Sequence, residues 1–248
     1  MNQRSIARRE WLTLVGGAVA STAAAGETPA GSKPAKVVVV GAHPDDPEST
    51  CGGTMLRLVA AGHEVVSAYL TRGEAGISGI SHEEAARIRT AEAERACGIL
   101  SVRPVFLGQM DGATEVTPTR YQEMQRFLDR EKPGVVFVHW PIDTHRDHRI
   151  ASVLVYDAWL ALGRPFALLY CEAMLGEQSQ VFTPTDYVDI SAVAERKRAA
   201  CHAHRSQDVE GWYESSHGRM EVFRGMEAGV PRAEAFVRHL QSRSFALP

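Results

Sequence analysis

The chain has 248 residues, a formal net charge of −3, 44% hydrophobic and 23% charged residues, a balance that fits a soluble globular protein and excludes a disordered or fibrous one. Its length suits one sizeable α/β domain, and no linker interrupts the middle. Basic residues are scattered, with no basic stripe carrying interleaved aromatics, so nucleic acid is not an expected partner.

The amino-terminal segment reads apart from the fold. Arg8-Arg9-Glu10-Trp11-Leu12 precedes a mildly apolar stretch from Leu12 to Ala25, and Gly26, Thr28, Pro29, Gly31 and Ser32 follow. Basic, apolar and small-residue regions in this order make an export signal. Adjacent arginines ahead of a weak apolar region resemble a twin-arginine signal. Residues 1–32 are therefore expected to be a signal and flexible segment, residues 33–248 the domain, and the destination periplasmic or extracellular. The apolar stretch is too short, and too rich in Ala and Gly, for a stable membrane span.

Lys36 to Ala42 opens the domain as a strand whose continuous β-branched run implies burial on both faces. Gly52 to Ala61 is a helix ended by Gly62. Glu64 to Leu70 is a second strand, and the glycine-rich loop Thr71–Gly79 follows. Ser81, with Glu84 three residues on, forms a capping box that opens a helix expected to stop at Gly98. Strands over 102–107 and 134–138 flank a helix over 119–130 that is bounded by Pro118 and Pro133. A helix over 145–162, strands over 166–173 and 187–190, and a helix over 192–204 complete the regular pattern; 233–240 reads as helix or strand. Alternating strands and helices predict a Rossmann-like open, mostly parallel sheet with helices on both faces. Cys51, Cys97, Cys171 and Cys201 form no C-x-x-C pair and read as free buried thiols.

Two histidine–carboxylate clusters carry the chemistry. Ala42-His43-Pro44-Asp45-Asp46-Pro47-Glu48 follows the first strand, and Pro141-Ile142-Asp143-Thr144-His145-Arg146-Asp147-His148 follows the strand over 134–138. Ligands bind at the carboxyl ends of strands in an open α/β sheet. Imidazole nitrogen and carboxylate oxygen suit a borderline divalent ion such as zinc. The clusters hold more such groups than a metal needs, which leaves some for acid–base work. Gly52 and Gly53 do not make G-x-G-x-x-G, so a dinucleotide site is not expected.

These two clusters resemble the signature motifs of the LmbE/PIG-L zinc-dependent de-N-acetylases. Thr71-Arg72-Gly73-Glu74-Ala75-Gly76, Arg89-Thr90-Ala91-Glu92 and His204-Arg205-Ser206-Gln207 extend the resemblance in the family's order. It implies a hydrolase that removes an N-acyl group, N-acetyl first, from an amino sugar or glycoconjugate substrate. His43, Asp46 and His148 are the implied ligands of Zn2+ or another divalent metal, a set that leaves an open position. Asp45 is the implied general base, and His145 the implied oxyanion stabiliser, with general acid as a further implied role. Asp147 orients an imidazole, and Asp143 caps the helix start. Arg72 is the implied contact to substrate hydroxyls, with pairing to Glu74 as its alternative. Asp111 binds sugar hydroxyls or serves the turn before Gly112. Arg89 and Glu92 read as a structural pair on one helix face; His204, Ser206 and Gln207 match the family without an assigned role. His139 reads as strand packing, and His63, His82, His202, His217 and His239 as structural or solvated. The rivals are another amide or ester hydrolase on this scaffold and an idle metal-containing carbohydrate-binding protein; binding alone needs neither Asp45 nor His145.

Overall fold

The computed structural model describes residues 34–248, so the export-signal expectation for residues 1–32 lies outside the described residues. In chain order the strands are β1 (Lys36–Gly41), β2 (Glu64–Tyr69), β3 (Arg103–Phe106), β4 (Val135–His139), β5 (Ala167–Cys171), β6 (Asp186–Asp189) and β7 (Ala233–Arg238). The helices are α1 (Asp46–Ala60), α2 (His82–Leu100), α3 (Pro118–Glu131), α4 (Arg146–Ala161), α5 (Ala194–Cys201), α6 (Val209–Trp212) and α7 (Gly218–Ala228). One sheet holds all seven strands in the order β3-β2-β1-β4-β5-β7-β6. The first five are mutually parallel, and β7 runs antiparallel to both β5 and β6.

The valine run of β1 explains the layering. Val37 and Val39 face Met55 and Leu58 of α1, Leu100 of α2 and Ala200 of α5. Val38 and Val40 face Phe127 of α3 and Leu154, Val155 and Trp159 of α4. Side chains alternate across a strand, so a central strand with helices on both sides needs apolar residues at every position. Each such buried side chain contributes roughly 1.5–3 kcal/mol over leaving it in water.

Helix boundaries depart from the sequence reading for local reasons. α1 begins at Asp46 rather than Gly52, because Pro47 is tolerated in a first turn whose N–H groups are unpaired anyway. Asp46 and Glu48 also suit the positive end of the helix. Gly53 then falls inside the helix, where a Cβ would stand 2.5 Å from Ile190 Cγ2. Close packing, not a turn, requires that glycine. α2 runs past Gly98 to Leu100, and Ser101 takes the left-handed cap at φ 61°. The interior glycine costs the helix about 1 kcal/mol, which burial of Cys97 and Leu100 offsets. α5 is shorter than expected, α7 was not foreseen, and 233–238 is a strand. All four cysteines are buried and free.

The chain passes outward from β1 through β2 to β3, then returns to β4 on the other side of β1. Loops leaving the carboxyl ends of β1 and β4 therefore diverge, and a crevice opens between them. Both histidine–carboxylate clusters leave from that point.

Candidate active site

The turn after β1 separates two adjacent carboxylates. Asp45 sits at φ 110°, a left-handed conformation unusual for a residue with a side chain and worth roughly 1–3 kcal/mol of strain. Arg89 of α2 holds it there, donating to Pro44 O at 2.5 Å and to Asp45 Oδ2 at 2.8 Å. Asp46 turns the other way. Its Oδ2 accepts from the backbone N–H groups of Ala42 at 2.9 Å and His43 at 2.7 Å. One carboxylate thus belongs to the end of β1 and its neighbour to Arg89.

The second cluster is built on the first turn of α4. His145 caps the helix, its Nδ1 accepting from Asp147 N at 3.2 Å. That bond leaves Nε2 for a ligand and, in the neutral ring, gives it the proton. Asp143 Oδ1 accepts from His145 N at 2.7 Å, and Oδ2 faces His148 Nδ1 at 3.3 Å. Asp147 accepts from Gly112 N at 2.9 Å and from Thr114 Oγ1 at 2.6 Å, and its Oδ2 stands 3.3 Å from His43 Nε2. Asp147 thus stands against the His43 imidazole, whereas the cap expected of Asp143 is made by His145, and Asp143 accepts from the N–H of that capping residue.

His43, Asp46 and His148 come together. Asp46 Oδ2 is 3.3 Å from His43 Nδ1, and Oδ1 is 3.4 Å from His148 Nε2. His139 joins them, which corrects its reading as mere strand packing. Its Nε2 lies 3.1 Å from Asp46 Oδ2, and its ring stacks on His148 at 3.8 Å. His139 is the last residue of β4 and is buried. Three overlapping donor sets, His43/His145/His148, Asp46/His139/His148 and His43/Asp111/Asp147, each keep their ligand atoms within 4.8 Å of one another.

The electrostatics favour a cation. Burial alone would lower the proton affinity of His43, yet Asp111, Asp147 and Asp46 outweigh it and raise the ring well above its ordinary value. Burial likewise opposes protonation of His148, but Asp46 and Asp143 push it up to about 9. Asp46 is held well below the carboxylate range by His148 and His139 despite its burial. A nest of carboxylates that pulls protons onto buried imidazoles offers a divalent metal both the charge and the nitrogen and oxygen donors it takes, so the residues present fit such an ion. Asp45 differs. Burial raises it, Arg89 opposes, the neighbouring Asp46 raises it again, and the net direction is upward.

A cavity of about 620 Å³ opens over these groups, within the range of small-molecule sites. Asp111 borders it, its Oδ1 at 3.2 Å from His43 Nε2. Arg72 does not border it. Its half-exposed side chain pairs with Glu74 at 3.3 Å, so the guanidinium lining the cavity is that of Arg89. Arg89 and Glu92 do not pair with each other, contrary to expectation. Glu92 accepts instead from Ser206 N at 2.9 Å and Ser206 Oγ at 2.6 Å. Gly73 and Gly76 leave room for Arg89 to pass, since a Cβ at either would stand 2.5 Å or less from its Nη1. Gln207 Nε2 donates to Gly76 O at 3.1 Å, so the segment after α5 ties the glycine-rich loop in place. That gives Ser206 and Gln207 a structural role the sequence withheld. His204 is buried with Nε2 3.6 Å from Glu48 Oε2.

Sequence reasoning also missed Trp212 and His217, both of which line the cavity. His63, His82, His202 and His239 do not line it. His217 belongs to a π-helical turn, Tyr213–His217, a geometry that hydrophobic periodicity does not signal.

Comparison with known proteins agrees with this geometry. Residues 38–159 match the family model PIG-L, GlcNAc-PI de-N-acetylase. A diacetylchitobiose deacetylase of Thermococcus kodakarensis is 34% identical over 194 residues, 72% of each chain. The N,N'-diacetylchitobiose deacetylase of Pyrococcus horikoshii, solved with an inhibitor, superposes with a TM-score of 0.73 at 26% identity, covering 83% of this chain and 84% of that one. A conserved protein of Thermus thermophilus superposes with a TM-score of 0.71 at 31% identity, covering 85% of this chain and 96% of that one.

Proposed function

This chain belongs to the PIG-L family of de-N-acetylases, and from that premise we propose that it hydrolyses the N-acetyl group of an amino sugar, using a divalent metal, zinc first, held by His43, Asp46 and His148. The observation that carries the reading is the division of labour between adjacent carboxylates. Asp46 faces three imidazoles, whereas Asp45 is turned into the cavity beside Arg89.

A bound zinc ion would polarise the acyl carbonyl and bring the pKa of a water toward about 7. The chain's own groups supply the rest. Asp45, its proton affinity raised by burial, accepts the proton that water loses on attacking the carbonyl carbon. His145 is kept neutral by burial and by the neighbouring charge of His43 and His148, and its Nε2–H donates to the oxygen on which negative charge develops. The proton taken by Asp45 is the one the departing nitrogen needs, so the carbon–nitrogen bond breaks to acetate and a free amine. Arg89 and Asp111 lie on the cavity wall where sugar hydroxyls can be hydrogen-bonded.

Among the described residues, no helix is long and apolar enough to cross a membrane. The reading includes export, supported by Arg8-Arg9 and the weakly apolar, small-residue segment that follows.

The test is an amine-release assay on metal-loaded protein across N-acetylated sugars. Acetate and amine should appear in equal amounts. Failure to release amine from any of them, with metal bound, would refute the reading.

A further inference from the structure

The groups assigned to chemistry leave one buried cluster without a role. Glu48 and His204 are both fully buried, and neither borders the cavity. Glu48 Oε2 and His204 Nε2 face each other at 3.6 Å. Neither atom has another hydrogen-bond partner among the described residues, so this contact is what compensates the burial of both. Burial opposes protonation of His204, yet Glu48 and Asp45 outweigh it and Arg89, and the ring holds its proton above the ordinary value. His204 thus meets Glu48 as an N–H donor.

Glu48 is the third residue of α1, the helix that begins at Asp46 and is preceded by Asp45 at the cap position. A glutamate there commonly reaches back to the N–H of the cap residue. Here it turns inward. Its Oε1 accepts from Tyr69 Oη of β2, and Cys97 Sγ of α2 stands 3.9 Å from the same oxygen. Burial and Glu48 push the Cys97 thiol up to about 12, so it keeps its proton. Asp45 makes no side-chain cap bond either. Its left-handed φ of 110° persists only where the surroundings over-determine it. Arg89 grips the Asp45 carboxylate at the cavity wall. Glu48, met by Tyr69, Cys97 and His204, anchors the same turn from the interior.

His204 is itself firmly placed. It precedes the 3₁₀ turn Arg205–Gln207, and its carbonyl accepts from Gln207 N at 3.1 Å. Ser206 is bonded twice to Glu92 of α2. Three elements remote in sequence therefore close on one carboxylate behind the proposed base.

We propose that His204 is a positioning residue for the hydrolysis. Through Glu48 it fixes the first turn of α1, and with it the direction of the Asp45 carboxylate. This rests on the deacetylase reading above and adds a residue to it.

The test applies the amine-release assay to zinc-loaded wild type, His204→Leu, His204→Gln, Glu48→Gln and the double variant His204→Leu/Glu48→Gln. In His204→Leu, kcat should fall on the order of 10-fold, because a small displacement of a reacting group is costly. KM should stay within about 2-fold, and bound zinc should not change. His204→Gln keeps an N–H donor and should recover most of kcat. Because His204 acts through Glu48, adding His204→Leu to Glu48→Gln should cost less than about 2-fold further. Wild-type kcat in His204→Leu, a rise in KM alone, loss of zinc, no recovery in His204→Gln, or a further loss of about 10-fold on the Glu48→Gln background each overturns the proposal. If His204→Leu alone does not fold, because it strands the Glu48 carboxylate, the double variant carries no such charge and still gives the last comparison.

The pairing is also read without substrate. In histidine-selective NMR of the zinc-loaded protein, the His204 signal is assigned by its absence from His204→Gln. It should titrate above the ordinary histidine value and drop by about 1 unit or more in Glu48→Gln. An unmoved titration overturns the pairing. Wild type that binds zinc but releases no amine refutes the deacetylase reading alone, and the NMR measurement still decides the pairing.

Discussion

Arg89 and Asp45 form an ion pair at 2.8 Å across the edge of the cavity, with Arg89 buried and Asp45 in a left-handed backbone conformation. The guanidinium also grips the Pro44 carbonyl, so one side chain fixes both the position and the charge of the proposed base. Burial and Asp46 raise the proton affinity of Asp45, and Arg89 opposes them. Activity that needs the carboxylate is therefore lost, as pH falls, at a higher pH than an ordinary aspartate would dictate. Arg89→Met removes the opposing charge and should move this acid limb of kcat/KM upward by about 1 unit. It should also lower kcat, because the strained turn loses its clamp. Arg89→Lys should keep the limb near its wild-type position. A pH–rate profile identical in wild type and Arg89→Met would separate Asp45 from the proton transfer.

Asp45→Asn keeps the shape of the base but removes the acceptor. Because Asp45 belongs to none of the three donor sets found among the described residues, metal content should stay near wild type. Turnover should fall roughly 10²-fold or more. Elemental analysis alongside the amine-release assay distinguishes the two effects. Loss of metal together with activity would assign Asp45 to the metal rather than to the proton.

The donor sets also rank the histidines. His43→Ala and His148→Ala should each abolish stoichiometric binding of a divalent ion, and chelation of the wild type should abolish hydrolysis. His139→Ala should weaken metal retention less, since its ring reaches the cluster through Asp46 and by stacking on His148. Equilibrium dialysis with zinc measures all three. Undiminished affinity in His148→Ala would show that the ion is held elsewhere.

The parallel sheet was legible because a β-branched run buried on both faces leaves its mark at every position, as Val37 to Val40 show. The metal-side residues were legible because they cluster within each motif. Long-range partners were not. Arg89 lies 44 positions from Asp45, and its spacing to Glu92 suggested an i,i+3 pair that the fold does not use. Arg72, on the loop itself, looked better placed yet turns to Glu74. His217 was lost because a π-helical turn breaks the 3.6-residue period by which helical faces are read. Lys197 lies in the charged run Glu195-Arg196-Lys197-Arg198, which carries no sign that its side chain is fully buried.

The proposed export rests on the sequence of residues 1–32 and is testable without reference to the site. Arg8 and Arg9 precede a weakly apolar segment, the order used by a route that carries folded proteins. A donor set drawn from residues 43 to 148 assembles only on folding, so that route would let the metal be loaded inside the cell. Replacing Arg8 and Arg9 with Lys should leave a folded, active hydrolase in the cytoplasmic fraction. Normal amounts outside would refute the twin-arginine reading and leave the deacetylase reading untouched.

Lys197 offers the sharpest stability test. Its Nζ lies 2.9 Å from Glu221 Oε1 and 2.7 Å from Glu234 Oε1, with no part of the side chain exposed. Glu234 in turn accepts from Gly53 N at 2.8 Å and Thr54 N at 2.7 Å, so the cluster joins α5, α7 and β7 to the middle of α1, the helix that begins with Asp46. Burying one ammonium between two carboxylates is costly, and removing it alone is costlier, because Glu234 loses its cation and Glu221 keeps only Arg232, at 3.2 Å. Lys197→Met should therefore destabilise the fold by about 3–5 kcal/mol. Adding Glu234→Gln to Lys197→Met should restore part of that loss, since it removes the carboxylate left without a cation. Urea unfolding of the single and double variants measures both terms. A loss below about 0.5 kcal/mol in Lys197→Met, the range of ordinary surface substitutions, would mean that the cluster does not anchor α1.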